Sequence, residues 1–142
     1  MKLGSVDYLE EVAKRCNCDE EYRALAKGQF ETYTLVLKAE PDKGVPEPLT
    51  VGFECRDGEF VEMWEGARAT LFTLSAPYGK WVDILRGKLG ATKAITMRIL
   101  QVQGPFLQLL KGGNRVLQWV EILRTIPTEF DGDYAQHNMA GE

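Results

Sequence analysis

The fold is decided by the sequence LTVGFECRDGEFVEMW, which occupies residues 49–64. Apolar and polar residues alternate through its first half, as expected of a strand with one buried face. Asp57-Gly58 follows, and this dipeptide is the strongest short-range signal for a two-residue β-hairpin turn. The register of such a hairpin puts Phe60 and Trp64 on the apolar face, but it also puts Glu62 there. A β-bulge, or a position at the mouth of a cavity, would relieve that conflict.

Three further strands flank this hairpin. Residues 31–38 precede it, and residues 69–74 and 98–103 follow it, with Gly or Pro near the boundaries. A helical segment lies between the last two strands, so a hairpin does not join them. The sequence therefore predicts an α+β fold with a five-stranded mixed sheet covered by helices.

Polar residues mark the expected helix starts. Ser5 and Asp19 are suitable N-caps for two N-terminal helices. Ser75 is expected to cap a helix after the fourth strand, with Pro77 in its first turn. Asn114 is expected to cap a last helix that ends near Thr125. This last helix is apolar around most of its circumference, so it must be buried on most sides or line something apolar.

Residues 80–124 combine large apolar side chains with positive charge. Eight basic residues face two acidic ones there, although the whole chain has a formal net charge of −4. Such a segment suits a ligand with an apolar body and an anionic head, or a transient contact with an anionic membrane surface. The basic residues form no runs and no aromatic-interleaved motif, so nucleic acid is not an expected partner.

Composition indicates one domain over residues 1–127, followed by an acidic and flexible tail over residues 128–142. No apolar run reaches the ~20 residues of a membrane span, and the N-terminus lacks a signal-peptide core. An odd number of cysteines (Cys16, Cys18 and Cys55) then predicts reduced thiols and a cytoplasmic location.

The sequence offers little for catalysis. Its single histidine is His137 in the tail, and its only serines, Ser5 and Ser75, are explained as helix caps. Nucleophile-elbow, phosphate-loop and zinc-protease motifs are absent. We therefore expect no catalytic residues, no metal and no cofactor.

The order of these motifs resembles the sterol carrier protein-2 family of small lipid-binding domains. The resemblance rests on the hairpin at residues 53–58, the strand and helix start at residues 69–75, the helix WVDILRGKL at residues 81–89, and LQVQG at residues 100–104. It implies helices over one face of the sheet and a hydrophobic tunnel for a fatty acid, a fatty acyl-CoA or a sterol-like lipid. It implies no catalysis by the domain.

Two groups of candidate site residues follow. Apolar residues of the C-terminal half are expected to line the tunnel and bind the lipid: Ile84, Leu85, Met97, Phe106, Leu107, Leu110, Trp119, Val120 and Leu123. Basic residues of the same half are candidates for the anionic head group: Arg86, Lys88, Arg98 and Lys111.

The alternative from another class is a protein-interaction module that buries its apolar C-terminal helix against another protein or in a homodimer, with no lipid ligand. A small enzyme acting on a lipid thioester is a third interpretation, which lacks a nucleophile–base pair.

Overall fold

The computed structural model describes residues 1–139, which form a mixed five-stranded sheet with helices. The strands are β1 (Phe30–Lys38), β2 (Leu49–Arg56), β3 (Glu59–Glu65), β4 (Phe72–Pro77) and β5 (Gln101–Gln103), in the order β3-β2-β1-β4-β5. β1 and β4 pair in parallel, and the other neighbours are antiparallel. The predicted α+β fold with a mixed sheet is confirmed.

Six α-helices accompany the sheet in the described part of the chain: α1 (Val6–Cys18), α2 (Glu20–Ala26), α3 (Tyr78–Leu85), α4 (Ala91–Thr96), α5 (Phe106–Lys111) and α6 (Gly113–Leu123). Ser5 and Asp19 accept hydrogen bonds from the backbone N–H groups of Tyr8 and Tyr22, as N-caps do. The core lies between these helices and the sheet face that carries Tyr33, Leu35 and Leu37.

The central hairpin forms as predicted. Asp57 and Gly58 have φ angles of 51° and 79°, and two successive positive values define a type I′ turn. Cys55 pairs with Phe60, and the register then shifts so that Glu54 pairs with Glu62. This bulge turns Glu62 outward to a salt bridge with Arg68 at 2.9 Å.

The bulge also corrects the expected position of Trp64. This residue pairs with Gly52 rather than Val51, so it lies on the opposite face of the sheet from Phe53. A Cβ at position 52 would lie 2.5 Å from the Trp64 ring, and the Arg68 guanidinium lies 4.2 Å from the ring centroid. Met63 packs against the core in its place.

The expected caps of α3 and α6 are wrong. Ser75 lies within β4, because pairing with β1 extends that strand to Pro77. Glu40 serves α3 instead, accepting a hydrogen bond from the Gly79 N–H at 2.6 Å. α6 begins at Gly113, one residue before Asn114, and has no side-chain cap.

The fifth strand is shorter than expected. β5 contains only residues 101–103, because Arg98 adopts φ 59° and interrupts extended backbone. The N–H groups of Arg98 and Leu100 donate to the carbonyls of Ile95 and Ala94, respectively. These residues are therefore still hydrogen-bonded to α4. The expected strand over residues 98–103 is therefore correct only in its second half.

Residues 128–139 are packed onto the body, so the expected flexible tail needs correction for this part. Thr128 and Met139 exchange two backbone hydrogen bonds, and Thr128 and Phe130 are 1% and 4% exposed. The Tyr134 hydroxyl donates to Glu40 at 3.1–3.2 Å. These contacts join the segment to the domain expected to end at residue 127, and residues 140–142 lie outside the described residues.

Gly58 and Gly28 form a matched pair for testing the hairpin. Both have φ near +80°, but a Cβ at Gly58 would lie 2.7 Å from the Ala26 carbonyl oxygen, whereas a Cβ at Gly28 would meet nothing within 4 Å. We expect Gly28→Ala to lower the free energy of unfolding by about 1–2 kcal/mol, from the left-handed backbone alone. Gly58→Ala should cost more, because the α2–β1 turn must also move. Urea denaturation measures both, and equal losses would contradict the close contact.

Candidate functional site

An apolar cavity lies between the sheet and the helices. It encloses about 40 Å³. The lining residues come from α2, from the inward face of the sheet and from α3 to α6: Tyr22, Tyr33, Phe53, Leu74, Trp81, Ile84, Leu85, Ala91, Ile95, Leu100, Leu109, Arg115, Val116, Trp119, Val120 and Leu123. Most are apolar, and the exceptions lie on α2, β1 and α6.

A second apolar space of about 30 Å³ adjoins the first on the side of α1 and β1. Trp81, Leu85, Trp119 and Leu123 line both spaces, so these four side chains form the partition between them. By comparison, an engineered apolar cavity of roughly 150 Å³ holds a molecule as small as benzene. The structure therefore has two small apolar spaces where the sequence predicted a continuous tunnel.

The cavity has one polar end, which is built on Glu31 of β1. Glu31 is 3% exposed, and its Oε1 lies 2.8 Å from Nη2 of Arg115, which is 6% exposed. The Tyr33 hydroxyl donates to the same Oε1 at 2.7 Å, and Gln108 Nε2 donates to Oε2 at 2.8 Å. One buried carboxylate thus joins β1, α5 and α6.

Burial shapes the electrostatics of this polar end. Burial raises the pKa of Tyr33, against the lowering effect of Arg115, so its phenol keeps its proton at neutral pH. Burial by itself lowers the pKa of Arg115, but the oxygens of Tyr33 and Glu31 outweigh it and the net pKa is raised. The pair is therefore a charged arginine beside a carboxylate, with a net charge of zero.

Gly112 makes room for the guanidinium. A Cβ at this position would lie 2.8 Å from Arg115 Nη2, so a larger residue would displace the arginine. The glycine stands at the junction between α5 and α6.

Five of the nine residues predicted to bind lipid line the cavity: Ile84, Leu85, Trp119, Val120 and Leu123. Phe106 packs on the core but is not in the lining. Met97, Leu107 and Leu110 are 61%, 71% and 38% exposed, so they face away from it. On α5 the inward residue is Leu109, at 1% exposure.

The four basic residues predicted to bind a head group do not line the cavity. Arg86 is half-buried at the end of α3, and Lys88, Arg98 and Lys111 are exposed. In residues 1–139 none of them has an ion-pair partner within 4.0 Å. The basic residue inside is Arg115, which the sequence analysis counted as charge but not as a site residue. Nothing in the sequence around Arg115 indicates that this side chain faces Glu31.

Residues 1–139 contain no group of three or more His, Cys, Asp or Glu side chains that could hold a metal ion. In the same part of the chain, no helix has the length and apolar character needed to cross a membrane. Cys16, Cys18 and Cys55 are free thiols, and burial raises the pKa of Cys55 to about 12.

Comparison with known proteins identifies the family. The family model described as the SCP-2 sterol transfer family matches residues 9–112. The chain belongs to the SCP-2 sterol transfer family. The match ends at Gly112, so α6 and the C-terminal segment lie beyond it. None of the curated proteins compared with the chain matches it.

Solved structures of SCP-2 proteins share the fold. A crystal structure of sterol carrier protein 2 has a TM-score of 0.80 and 20% identity, covering 88% of this chain and 99% of its own. A conserved hypothetical protein from Thermus thermophilus, titled as possibly a sterol carrier protein, has a TM-score of 0.73 and 21% identity, covering 87% and 89%. The Aedes aegypti SCP-2 in complex with palmitate has a TM-score of 0.54 and 15% identity, covering 86% and 98%.

A double-mutant cycle tests the buried pair. Glu31→Leu or Arg115→Met alone leaves a buried charge without its partner, so we expect each to lower the free energy of unfolding by about 3–5 kcal/mol. The double variant removes both charges and should lose less than either single variant. Urea denaturation at pH 7 measures all three. Losses that simply add would show that the two side chains do not act as a pair.

Proposed function

We propose that this protein binds a long-chain lipid without catalysis, for carriage or presentation. The observation that carries the proposal is the apolar space between the sheet and the helices, with its single polar end. The Aedes aegypti SCP-2 is in complex with palmitate, a C16 fatty acid, which supports a long-chain ligand. The candidate ligands are a fatty acid, a fatty acyl-CoA and a sterol-like molecule.

The driving force is removal of hydrocarbon from water. Burial contributes about 0.8 kcal/mol per methylene, so a chain of sixteen carbons gains roughly 10 kcal/mol before immobilisation is subtracted. The two apolar spaces, of about 40 Å³ and 30 Å³, are much smaller than such a chain. Lipid entry therefore requires helices to move away from the sheet, and their apolar side chains exchange contacts with one another for contacts with the lipid.

α5 is the helix best suited to move. It has six residues, of which only Leu109 is buried and Phe106 is half-buried. Its polar contact with the sheet is the hydrogen bond from Gln108 to Glu31. α6 by contrast buries Val120, Ile122 and Leu123. We propose that α5 swings on Gly112 to admit the ligand.

Transient contact with an anionic membrane surface is the second part of the proposal. α5 exposes Leu107 and Leu110 and ends in Lys111, so an apolar surface lies beside a positive charge. A membrane that receives these leucines would hold α5 away from the sheet while the lipid passes. The free thiols support a reducing compartment, and we propose the cytoplasm.

The alternative of a protein-interaction module has less support. It requires an exposed apolar face on the C-terminal helix, whereas α6 buries Val120, Ile122 and Leu123 and half-buries Val116 and Trp119 within the same chain. Leu117 is its exposed large apolar residue, at 44%.

Filling the cavity tests the lipid-binding proposal. Ala91 lines the cavity and is 5% exposed, so Ala91→Met places extra atoms in the space that the lipid needs. We expect uptake of a fluorescent fatty acid to weaken at least about tenfold, while stability falls by about 1–3 kcal/mol from overpacking. Leu107→Ser is the control, because Leu107 is outside the lining, and it should bind as the wild type does. No uptake of any long-chain lipid by the folded wild type would refute the proposal.

The same control variant tests membrane contact. With the fluorescent fatty acid supplied in vesicles that contain anionic lipid, we expect Leu107→Ser to slow transfer to the protein several-fold, because an apolar contact with the membrane is lost. Stopped-flow fluorescence measures the rate. An unchanged rate would contradict a role for α5 at the membrane.

A further inference from the structure

Two N–H groups on α6 have no hydrogen-bond acceptor among residues 1–139. They are Nε of Arg115 and Nε1 of Trp119, and both atoms are buried. The residues are four apart on a helix, so they occupy the same face on successive turns. Both side chains line the apolar cavity. Buried donors are nearly always satisfied in native proteins, so two of them on one cavity wall point to an acceptor that enters from outside the chain.

The rest of the Arg115 guanidinium is already engaged. Its Nη2 lies 2.8 Å from Glu31 Oε1, and Nη1 and Nη2 donate to the Tyr33 hydroxyl at 3.3–3.4 Å. Trp81 shows the normal situation in the same cavity, because its Nε1 donates to the Val36 carbonyl at 3.1 Å. Tyr8 Oη and Trp64 Nε1 are also buried without a partner, but neither residue lines this cavity. Within the lining of the cavity, the free donors are therefore those on α6.

Charge balance decides what kind of acceptor fits. Glu31 already neutralises Arg115, so a ligand carboxylate at this point would add an unbalanced negative charge in a buried, apolar place. An oxygen without charge, such as a hydroxyl or a carbonyl, would satisfy the same two donors at no such cost. The exposed basic residues predicted for an anionic head lie outside the cavity.

We propose that Arg115 Nε and Trp119 Nε1 bind an uncharged oxygen at the polar end of the lipid, so that the preferred ligand is a long-chain or polycyclic alcohol, ketone or ester and not a fatty acid anion. This rests on the proposed lipid binding and narrows its ligand class. Arg115 and Trp119 lie beyond the segment matched by the family model, so the assignment depends on the geometry of this chain.

The experiment compares ligands of one chain length. Hexadecan-1-ol and palmitate at pH 8 each displace a bound fluorescent polyene hydrocarbon, which has no oxygen. We expect the alcohol to bind more tightly than the anion. Trp119→Phe should weaken the affinity for the alcohol about fivefold more than the affinity for the hydrocarbon, which is the worth of one hydrogen bond.

Trp81→Phe is the matched control, because it removes an indole from the same cavity whose N–H already has a backbone acceptor. Trp81→Phe should change the affinities for the alcohol and for the hydrocarbon by equal factors. In the unchanged protein, the Trp119 indole N–H resonance should move downfield with the alcohol and not with the hydrocarbon. This readout does not depend on how a variant folds.

The results separate the two proposals. Three results would overturn the uncharged-oxygen site while lipid binding stands: tighter binding of palmitate anion, an alcohol affinity no more sensitive to Trp119→Phe than the hydrocarbon affinity, or an unmoved Trp119 resonance. An insensitive affinity would also mean that buried water or packing alone accounts for the two donors. If neither the hydrocarbon nor any C16 ligand binds the folded protein, both proposals fail.

Discussion

The ion pair between Glu31 and Arg115 joins the central strand of the sheet to the last helix, deep inside the protein. Two charges in an apolar interior are costly, and they are tolerated only when each is paired and hydrogen-bonded. Tyr33 and Gln108 donate hydrogen bonds to the two carboxylate oxygens of Glu31. Gly112 leaves space for the guanidinium. The rotation of α6 about its axis is fixed by this contact, because the arginine can reach the carboxylate from only one face.

That rotation determines the character of the cavity. With Arg115 pointing inward, Trp119, Val120 and Leu123 also point inward, and the cavity gains apolar walls with one polar end. Trp119 and Leu123 meet Trp81 and Leu85 in the partition between the two small spaces. The two spaces are too small for a lipid, so the proposed entry of a ligand depends on α5, the helix with the fewest buried residues.

Much of the fold could be predicted because its signals are local. The alternation of the hairpin strands and the Asp57-Gly58 turn fixed two strands and, with Glu62, indicated the bulge. Predictions failed where a distant partner competed with a local signal. Pairing with β1 drew Ser75 into a strand, and Glu40 took over the role of the cap. The tail was judged by its acidic composition, but Phe130 and Tyr134 anchor it to the body.

The sequence by itself determined the class of fold, the family and the apolar nature of the C-terminal half, since these depend on residue type and spacing along the chain. Only the tertiary structure decided which side chains face the cavity. Leu109 rather than Leu107 points inward, and Arg115 rather than Lys111 or Arg98 is the interior cation. The physical reason is that a helix with apolar residues on most of its circumference has no unique inward face until a specific contact, here the carboxylate of Glu31, selects one.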